Sequence, residues 1–297
     1  MKFAAIDIGS NAVRLLFSQV FENGKTATFK KDALFRVPLR LGEDVFVNGK
    51  ISKEKVSSLV NTMIAFKHLI KAYKPLAFRA CATSAMREAE NRKEILKVIK
   101  KEAGITLEII DGKKEADIIY SNQIAENLDK KGTYLYIDVG GGSTELTLIS
   151  KSRIISSQSF NIGTVRTLKK KDQKSEWAGM EKWLKENTGS YQSVSGIGSG
   201  GNINKIFRMS GNKDGKPILL KSIKKIYSEL NEHTLKERIT KLGLRPDRAD
   251  VIIPAANIFI SVMKWSGIKN LYMPQVGLSD GIIHLLYEKQ KKQKSAV

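Results

Sequence analysis

Residues 134–150 read YLYIDVGGGSTELTLIS, and residues 4–18 read AAIDIGSNAVRLLFS. Each stretch is an apolar run that ends in Ile-Asp, followed by one apolar residue, a glycine turn with hydroxyl or amide side chains, and a second apolar run. Two apolar runs around a short glycine turn predict a β-hairpin. Because the same hairpin occurs twice at one long period, the sequence predicts a duplicated fold made of two related domains.

Helix-like and strand-like patterns alternate on both sides of these hairpins, which is typical of the α/β class. In the first half the pattern predicts helices over 52–73, 88–103 and 115–127, and strands over 76–82 and 106–110. In the second half it predicts strands over 154–160, 193–197 and 270–273, and helices over 175–186, 247–265 and 279–289.

The polar, turn-like segment 127–132 separates the two halves. We therefore place the domain boundary there, with a first domain at 1–127 and a second at 128–297. One option within this division is that the last helix, at about 281–297, packs back on the first domain.

The chain is strongly basic, with 51 Lys and Arg against 30 Asp and Glu among 297 residues and a net charge of +21. Such a field attracts polyanions such as nucleic acid, an anionic membrane or polyphosphate, although a basic surface without such a role is an alternative. Aromatic residues make up only 7%, and we find no helix-turn-helix, RNP or zinc signature. Nucleic-acid binding is therefore not expected as the primary role.

Cys81 is the single cysteine, which excludes an intramolecular disulfide and zinc sites that need several cysteines. No run approaches roughly 18 consecutive apolar residues, and Asp7 interrupts the apolar N-terminus, so the sequence predicts neither a membrane span nor a signal peptide. We expect a cytoplasmic protein without a membrane partner. The three histidines lie in unrelated contexts and predict no metal site.

The two glycine turns are the first candidate binding sites. Gly9, Ser10 and Asn11 can direct backbone N–H groups and polar side chains at one anion, or can form an ordinary hairpin turn. The turn Gly140, Gly141, Gly142, Ser143 and Thr144 is a stronger indication, because three successive glycines cost backbone entropy that a plain connection does not need. Phosphate binding is such a reason, and the turn is neither a Walker motif nor a dinucleotide fingerprint.

Two carboxylates flank the second turn, Asp138 before it and Glu145 after it. Carboxylates beside a phosphate repel it unless a hard cation lies between them. Since Mg²⁺ prefers oxygen ligands and phosphate substrates, the pair predicts a magnesium site. A capping aspartate and a solvent-facing glutamate are the alternative.

Three strand-to-helix junctions carry further candidates. Arg87 lies near hydroxyl residues at the start of a predicted helix, which suits either an anion site or a capped helix start. Glu115, in a first helical turn, would ordinarily stabilise that turn at the surface. Gly198, Ser199, Gly200 and Gly201 suit a nucleotide or polyanion contact, or a flexible connection.

In combination, these motifs resemble the Ppx/GppA family of exopolyphosphatases and guanosine pentaphosphate phosphohydrolases, within the superfamily of actin, sugar kinases and heat-shock ATPases. The matching stretches occur in family order over nearly the whole chain and are AAIDIGSNAVRLLF, RACATSAMREAENR, LEIIDGKKEADIIY, YLYIDVGGGSTELTLI, SFNIGTVRTL, SVSGIGSGGNINKI, RADVIIPAANIF and VGLSDGIIHLL.

The resemblance implies an α/β fold of two ribonuclease-H-like domains flanking a cleft that binds substrate phosphates and Mg²⁺. It implies that Glu115 is the catalytic glutamate, that Arg87 binds phosphate, and that Asp138 and Glu145 are the metal ligands. It also places the first phosphate loop at residues 9–11 and the second at residues 140–144.

We therefore expect an exopolyphosphatase that hydrolyses the terminal phosphate of polyphosphate. Short chains are the expected substrate, since longer family members carry C-terminal helical domains that this sequence lacks. Guanosine pentaphosphate 5'-phosphohydrolase activity is one alternative. A non-catalytic sensor of polyphosphate or guanosine tetraphosphate is another, because Lys113, Lys114 and Asn202 depart from the family pattern. A homodimer is left open.

Overall fold

The computed structural model of the chain describes residues 1–24, 26–120, 129, 131–274 and 276–295. These residues form two units, the first made of Met1–Asn122 and Val276–Val297 and the second of Gln123–Gln275. The predicted boundary between residues 127 and 128 lies outside the described residues.

The first unit contains a five-stranded sheet in the order β3-β2-β1-β4-β5. Strands β1, β2 and β3 form an antiparallel meander, and β4 and β5 continue the sheet parallel to β1. The strands are β1 (Lys2–Ile8), β2 (Val13–Asn23), β3 (Thr26–Val37), β4 (Ala77–Ala82) and β5 (Glu108–Ile109). The helices are α1 (Leu41–Asn48), α2 (Lys53–Tyr73), α3 (Ser84–Glu88), α4 (Arg92–Ala103) and α5 (Gly112–Tyr120), together with the last helix of the chain, Leu278–Ser295.

The second unit contains a six-stranded sheet in the order β10-β11-β9-β6-β7-β8. Here too a three-stranded antiparallel meander, β6 to β8, is extended by a strand parallel to its first member. The strands are β6 (Thr133–Val139), β7 (Thr144–Ser150), β8 (Arg153–Phe160), β9 (Ser195–Ser199), β10 (Ile218–Leu219) and β11 (Asn270–Tyr272). The helices are α6 (Thr164–Leu168), α7 (Lys174–Thr188), α8 (Gly201–Met209), α9 (Leu220–Glu232), α10 (Leu235–Thr240), α11 (Pro246–Ala249) and α12 (Ile252–Trp265), so the helix Leu278–Ser295 is α13.

The two predicted hairpins are confirmed, and they have equal turns. Asp7 lies opposite Arg14 across β1 and β2, and Asp138 lies opposite Glu145 across β6 and β7. Each first strand is central in its sheet, and β1 is buried on both faces, with Phe3 and Ile6 fully inaccessible. Strands covered on both faces by helices are expected to read as continuous apolar runs, as these do.

Two predicted helices are interrupted in the structure. The helix predicted over 88–103 begins only at Arg92, as α4, and Glu88 is the last residue of α3. Ala89 adopts an extended conformation between them, and Asn91 exchanges hydrogen bonds with the backbone of Ile51 at 3.1 and 2.8 Å. The helix predicted over 247–265 is divided into α11 and α12. Residues 26–51, to which the sequence assigned no element, contain all of β3 and all of α1. Residues 121–127 of the predicted helix 115–127 lie outside the described residues.

Helix α13 belongs to the first unit and packs against β1, β2 and α5. Its His284 ring stacks on the ring of Phe29 in β3, with centroids 3.6 Å apart. Tyr287 donates a hydrogen bond to Glu22 Oε1 at 3.1 Å, and Lys31 forms a 2.9 Å ion pair with Asp280. Burial lowers the pKa of His284 to about 4.

This depressed pKa makes the first unit sensitive to acid. An unfolded histidine has a pKa near 6.5, so between about pH 6.5 and 4 the unfolded chain binds more protons at this position than the folded chain. The stabilisation by neutral His284 is therefore complete above pH 6.5 and is lost as the pH falls toward 4. Allowing for partial solvent screening, we expect about 2 kcal/mol over this range.

We expect the His284→Phe variant, which keeps the stacking but cannot titrate, to lose less stability than the wild type between pH 7 and pH 4.5. Denaturant unfolding at a series of pH values measures the difference. Equal pH slopes for the two proteins would contradict the assignment.

In the described part of the chain, none of the helices combines the length and apolar character that a membrane crossing requires.

Candidate functional site

The candidate residues of the first unit lie at the carboxyl ends of its parallel strands. Thr83 N donates to Ile8 O at 3.1 Å, and Ile110 N donates to Ala82 O at 3.0 Å. These bonds join the ends of β1, β4 and β5 and bring together the turn after β1 and the starts of α3 and α5. In open α/β sheets this edge is where ligands commonly bind.

The first glycine turn is held from one side by the segment that begins α1. Gly9 N donates to Ala12 O at 3.1 Å and closes the turn, while Ser10 O accepts from Gly42 N at 2.8 Å and Asn11 O accepts from Arg40 N at 3.0 Å. Ser10 is 3% exposed, and its hydroxyl has no hydrogen-bond partner among the described residues. A buried hydroxyl without a protein partner fits a ligand oxygen.

Arg87, in α3, and Glu115, in the first turn of α5, both form hydrogen bonds with the connection between β5 and α5. Arg87 Nη1 donates to Ile110 O at 2.8 Å, and Glu115 N donates to Asp111 O at 2.9 Å in the first turn of α5. Glu115 is only 8% exposed, whereas a glutamate that merely stabilises a helix start would lie at the surface. The structure thus brings Arg87 close to the start of the helix that carries Glu115.

The two lysines before Glu115 have different environments. Lys113 is exposed, whereas Lys114 forms an ion pair with Glu108, which Arg79 also contacts at 2.7 Å. The hydrogen bond from Lys114, opposed by desolvation and aided by Arg79, holds the pKa of Glu108 below its ordinary value. The ammonium group of Lys114 is therefore engaged with β5.

The second glycine turn is held by the segment that runs into α6. Gly140 N donates to Ser143 O at 2.9 Å and closes the turn as in the first unit. Gly140 O accepts from Thr164 N at 3.0 Å, and Gly141 O accepts from Val165 N at 2.8 Å and Arg166 N at 3.1 Å. Gly142 O accepts from Arg166 Nε at 2.8 Å. Thus all three glycine carbonyls are bonded.

The backbone N–H groups of this turn differ from its carbonyls in their hydrogen bonding. Within the described residues, no group accepts a hydrogen bond from the backbone N–H of Gly141, Gly142 or Ser143. Thr144 is fully buried, and its hydroxyl donates to Ile162 O, so it contacts the same segment as the glycine carbonyls. Three successive N–H groups without acceptors form a site of the kind that binds phosphate oxygens.

Asp138 and Glu145 are directly opposite each other across β6 and β7. Side chains at such positions share one face of the sheet, with Cβ atoms about 5 Å apart. Glu145 is 2% exposed, and Ser159 Oγ donates to its Oε1 at 2.9 Å. In the first unit the equivalent pair is Asp7 and Arg14, which form a 2.7 Å ion pair.

The difference between the pair Asp138–Glu145 and the pair Asp7–Arg14 shows which of them suits a metal ion. Two carboxylates side by side repel each other and favour a divalent cation, whereas the guanidinium of Arg14 already supplies positive charge to Asp7. No cluster of three or more His, Cys, Asp or Glu side chains that could hold a metal occurs in the described part of the chain. Mg²⁺ needs only one or two carboxylates beside water and substrate phosphate, so Asp138 and Glu145 fit it.

The turn after β9 lies against the Asp138 carboxylate. Gly200 has a φ of +110°, and a Cβ atom there would lie 3.1 Å from Val139 O and 3.6 Å from Asp138 Oδ1. Gly201 O accepts from Arg248 Nη1 at 2.8 Å. Gly198 and Ser199 are buried in β9, and Ser199 pairs with Asp138 in the parallel register. The second unit therefore brings together its glycine turn, the carboxylate pair and residues 198–201.

Sequence reasoning assigned no role to the supports behind the two turns, Arg40 and Gly42 in the first unit and Gly163 and Arg166 in the second. The stretch SFNIGTVRTL contains Gly163 and Arg166, but no pattern in it marks these two residues as a support.

Comparison with known proteins gives consistent relatives. The family model described as the Ppx/GppA phosphatase family matches residues 33–290. A bifunctional 3-dehydroquinate synthase/phosphatase of Fusobacterium nucleatum is 34% identical over 171 residues, covering 56% of this chain and 26% of that protein. Exopolyphosphatase 1 of Mycobacterium tuberculosis is 30% identical over 147 residues, covering 50% of this chain and 42% of that protein. The chain thus spans less than half the length of these two relatives.

Among solved structures, the Aquifex aeolicus Ppx/GppA enzyme is 26% identical, with a TM-score of 0.76, and the match covers 96% of this chain and 99% of that one. This likeness and the two mixed sheets confirm the predicted α/β class and the actin-like fold. Since the family model also matches most of the sequence, the chain belongs to the Ppx/GppA phosphatase family.

Proposed function

We propose that this protein is a Mg²⁺-dependent exopolyphosphatase of the cytoplasm that releases the terminal phosphate of inorganic polyphosphate, with a preference for short chains. One observation carries the proposal: within the described residues, three successive backbone N–H groups of the second glycine turn have no acceptor, while each of its glycine carbonyls accepts a hydrogen bond. Such a turn suits an oxyanion better than a neutral ligand, because its N–H groups carry partial positive charge. The net charge of +21 favours a multiply charged anion over a neutral metabolite.

In the proposed mechanism each residue has one task. Glu115 orients the attacking water and accepts its proton, which its position at the carboxyl edge of the sheet and its low exposure support. Arg87 and the N–H groups of the glycine turns bind the oxygens of the phosphoryl group and stabilise the charge that it carries in the transition state. Asp138 and Glu145 would hold Mg²⁺, which would neutralise phosphate charge.

Guanosine pentaphosphate is the second candidate substrate, because it also presents a terminal phosphoanhydride. The turn after β9 is a candidate contact for the rest of this molecule, since Gly200 lies against the Asp138 carboxylate. The two substrates must therefore be compared directly.

The test measures orthophosphate release from polyphosphates of graded length and from guanosine pentaphosphate, each with Mg²⁺ and with a chelator. We expect release from short polyphosphate that requires the metal, with a lower kcat/KM for guanosine pentaphosphate. The Glu145→Gln variant should also bind Mn²⁺, a paramagnetic substitute for Mg²⁺, at least about tenfold more weakly in spectroscopic titration.

Glu186→Gln, at an exposed position of α7, removes the same charge far along the sequence from the turn and serves as the control. Binding of polyphosphate without metal-dependent release would favour a sensor over an enzyme. No release and no binding would refute the proposal.

A further inference from the structure

We infer that the segment Ile162–Arg166, which we name the strap, sets the geometry of the second glycine turn, and that Arg166 is a positioning residue for the phosphate site. The effect of Arg166 on catalysis rests on the proposed function. The effect of the strap on the geometry of the turn does not depend on which substrate binds.

The strap forms hydrogen bonds with residues at both ends of the turn, from Gly140 to Thr144. The backbone N–H groups of Thr164, Val165 and Arg166 donate to Gly140 O and Gly141 O at 2.8–3.1 Å. In the other direction, Thr144 Oγ1 donates to Ile162 O at 2.5 Å. A glycine-rich turn is intrinsically free to rotate its peptide planes, and these bonds remove that freedom.

Arg166 completes the set with its side chain. It is 8% exposed, and its Nε donates to Gly142 O at 2.8 Å in a buried hydrogen bond. A hydrogen bond from a charged donor in a buried setting is stronger than one between neutral groups. Gly142 O is the one glycine carbonyl of the turn that no backbone N–H of the strap reaches, so Arg166 fixes the last peptide plane.

Gly163 permits the close contact. A Cβ atom at this position would lie 2.4 Å from Gly142 C, 2.5 Å from Gly142 N and 2.6 Å from Gly141 C, all backbone atoms. Its φ of −143° is accessible to any residue, so contact with the turn, and not backbone conformation, requires glycine here.

The first unit reaches the same arrangement with different residues. There Arg40 N and Gly42 N donate to the carbonyls of Asn11 and Ser10. A Cβ atom on Gly42 would lie 2.9 Å from Ser10 Cβ, and Arg40 adopts a left-handed φ of 52° that is costly for a residue with a side chain. Both supports begin directly after the third strand of the meander, α1 after β3 and α6 after β8, so the likeness agrees with a duplicated fold in which the supporting residues differ.

The physical consequence is the same in both units. A peptide carbonyl that turns toward a phosphate repels it, and a mobile turn must be ordered when ligand binds. A strap that holds the carbonyls away keeps the N–H groups directed at the ligand before it arrives, which is the preorganisation that makes such sites effective.

The experiment compares Arg166→Gln and Arg166→Lys with the wild type and with Arg208→Gln, an exposed arginine of the same unit. We expect Arg166→Gln to shift the amide ¹H and ¹⁵N resonances of Gly141, Gly142 and Ser143 and to weaken tripolyphosphate binding about tenfold or more. Arg166→Lys, which can still donate to Gly142 O, should recover part of both effects. Arg208→Gln should change neither.

Wild-type amide resonances and affinity in Arg166→Gln would overturn the inference. If that variant does not fold, Thr144→Val removes the opposite bond of the strap with little change in volume, and unchanged turn resonances in it would equally overturn the inference. If instead the wild type neither binds nor hydrolyses polyphosphate, the proposed function fails while the resonance comparison still decides the role of the strap.

Discussion

Replacing Glu115 by Gln should lower kcat for polyphosphate about 10²- to 10⁴-fold while KM changes only severalfold. The amide has nearly the shape of the carboxyl group, so the buried site keeps its packing, but the amide cannot accept a proton from water. Because phosphoryl transfer depends mainly on positioning and charge stabilisation, a residual rate from Arg87 and the glycine turns should remain. Steady-state phosphate release at saturating Mg²⁺ measures both constants.

Asp117→Asn provides the matched control. Asp117 lies two residues further along α5 and is exposed, so this variant makes the same chemical change on the same helix without altering the buried carboxylate. Its kcat should stay within about twofold of the wild type. Comparable losses in both variants would mean that the charge of α5, and not the Glu115 carboxylate, governs turnover.

The fold could be predicted from sequence where local pattern and packing agree. The hairpins around residues 9 and 140 combine apolar runs with glycine turns, and both signals are short-range. The break between α3 and α4 could not be predicted, because Asn91 leaves the helix to bond with Ile51, a contact between segments 40 residues apart in the chain. Strand β3 was missed because Lys30, Lys31 and Asp32 interrupt its apolar pattern. This strand lies at an edge of the sheet, where charged side chains are tolerated.

For the candidate site, sequence indicated which groups carry chemistry but not what holds them. The glycine turns and the Asp138–Glu145 pair follow from residue types and spacing, whereas Arg87 and Glu115 gained roles only through resemblance to a family. The supports formed by Gly42 and Gly163 act by close backbone contact. A glycine leaves no mark in sequence that distinguishes such a contact from a flexible joint.

Gly281 is a third position of this kind, and we expect the Gly281→Ala variant to lose at least about 2 kcal/mol of stability and about 10²-fold in kcat. A Cβ atom there would lie 2.0 Å from Ile118 O and 2.7 Å from Ile118 C. Both are backbone atoms of α5, so no side-chain rotation can relieve the overlap. Ile118 lies three residues after Glu115, and any displacement of α5 away from α13 therefore moves the carboxylate.

Gly179→Ala is the matched control, since Gly179 lies within α7 and a Cβ atom there would have no neighbour within 4 Å. The same substitution should stabilise the protein by about 0.5–1 kcal/mol, because alanine has the higher helix propensity. Thermal unfolding of the two variants should therefore give shifts of opposite sign. If Gly281→Ala were as stable and as active as Gly179→Ala, α13 would not be in contact with the backbone of α5, and the placement of Glu115 would have to depend on β5 and Asp111 alone.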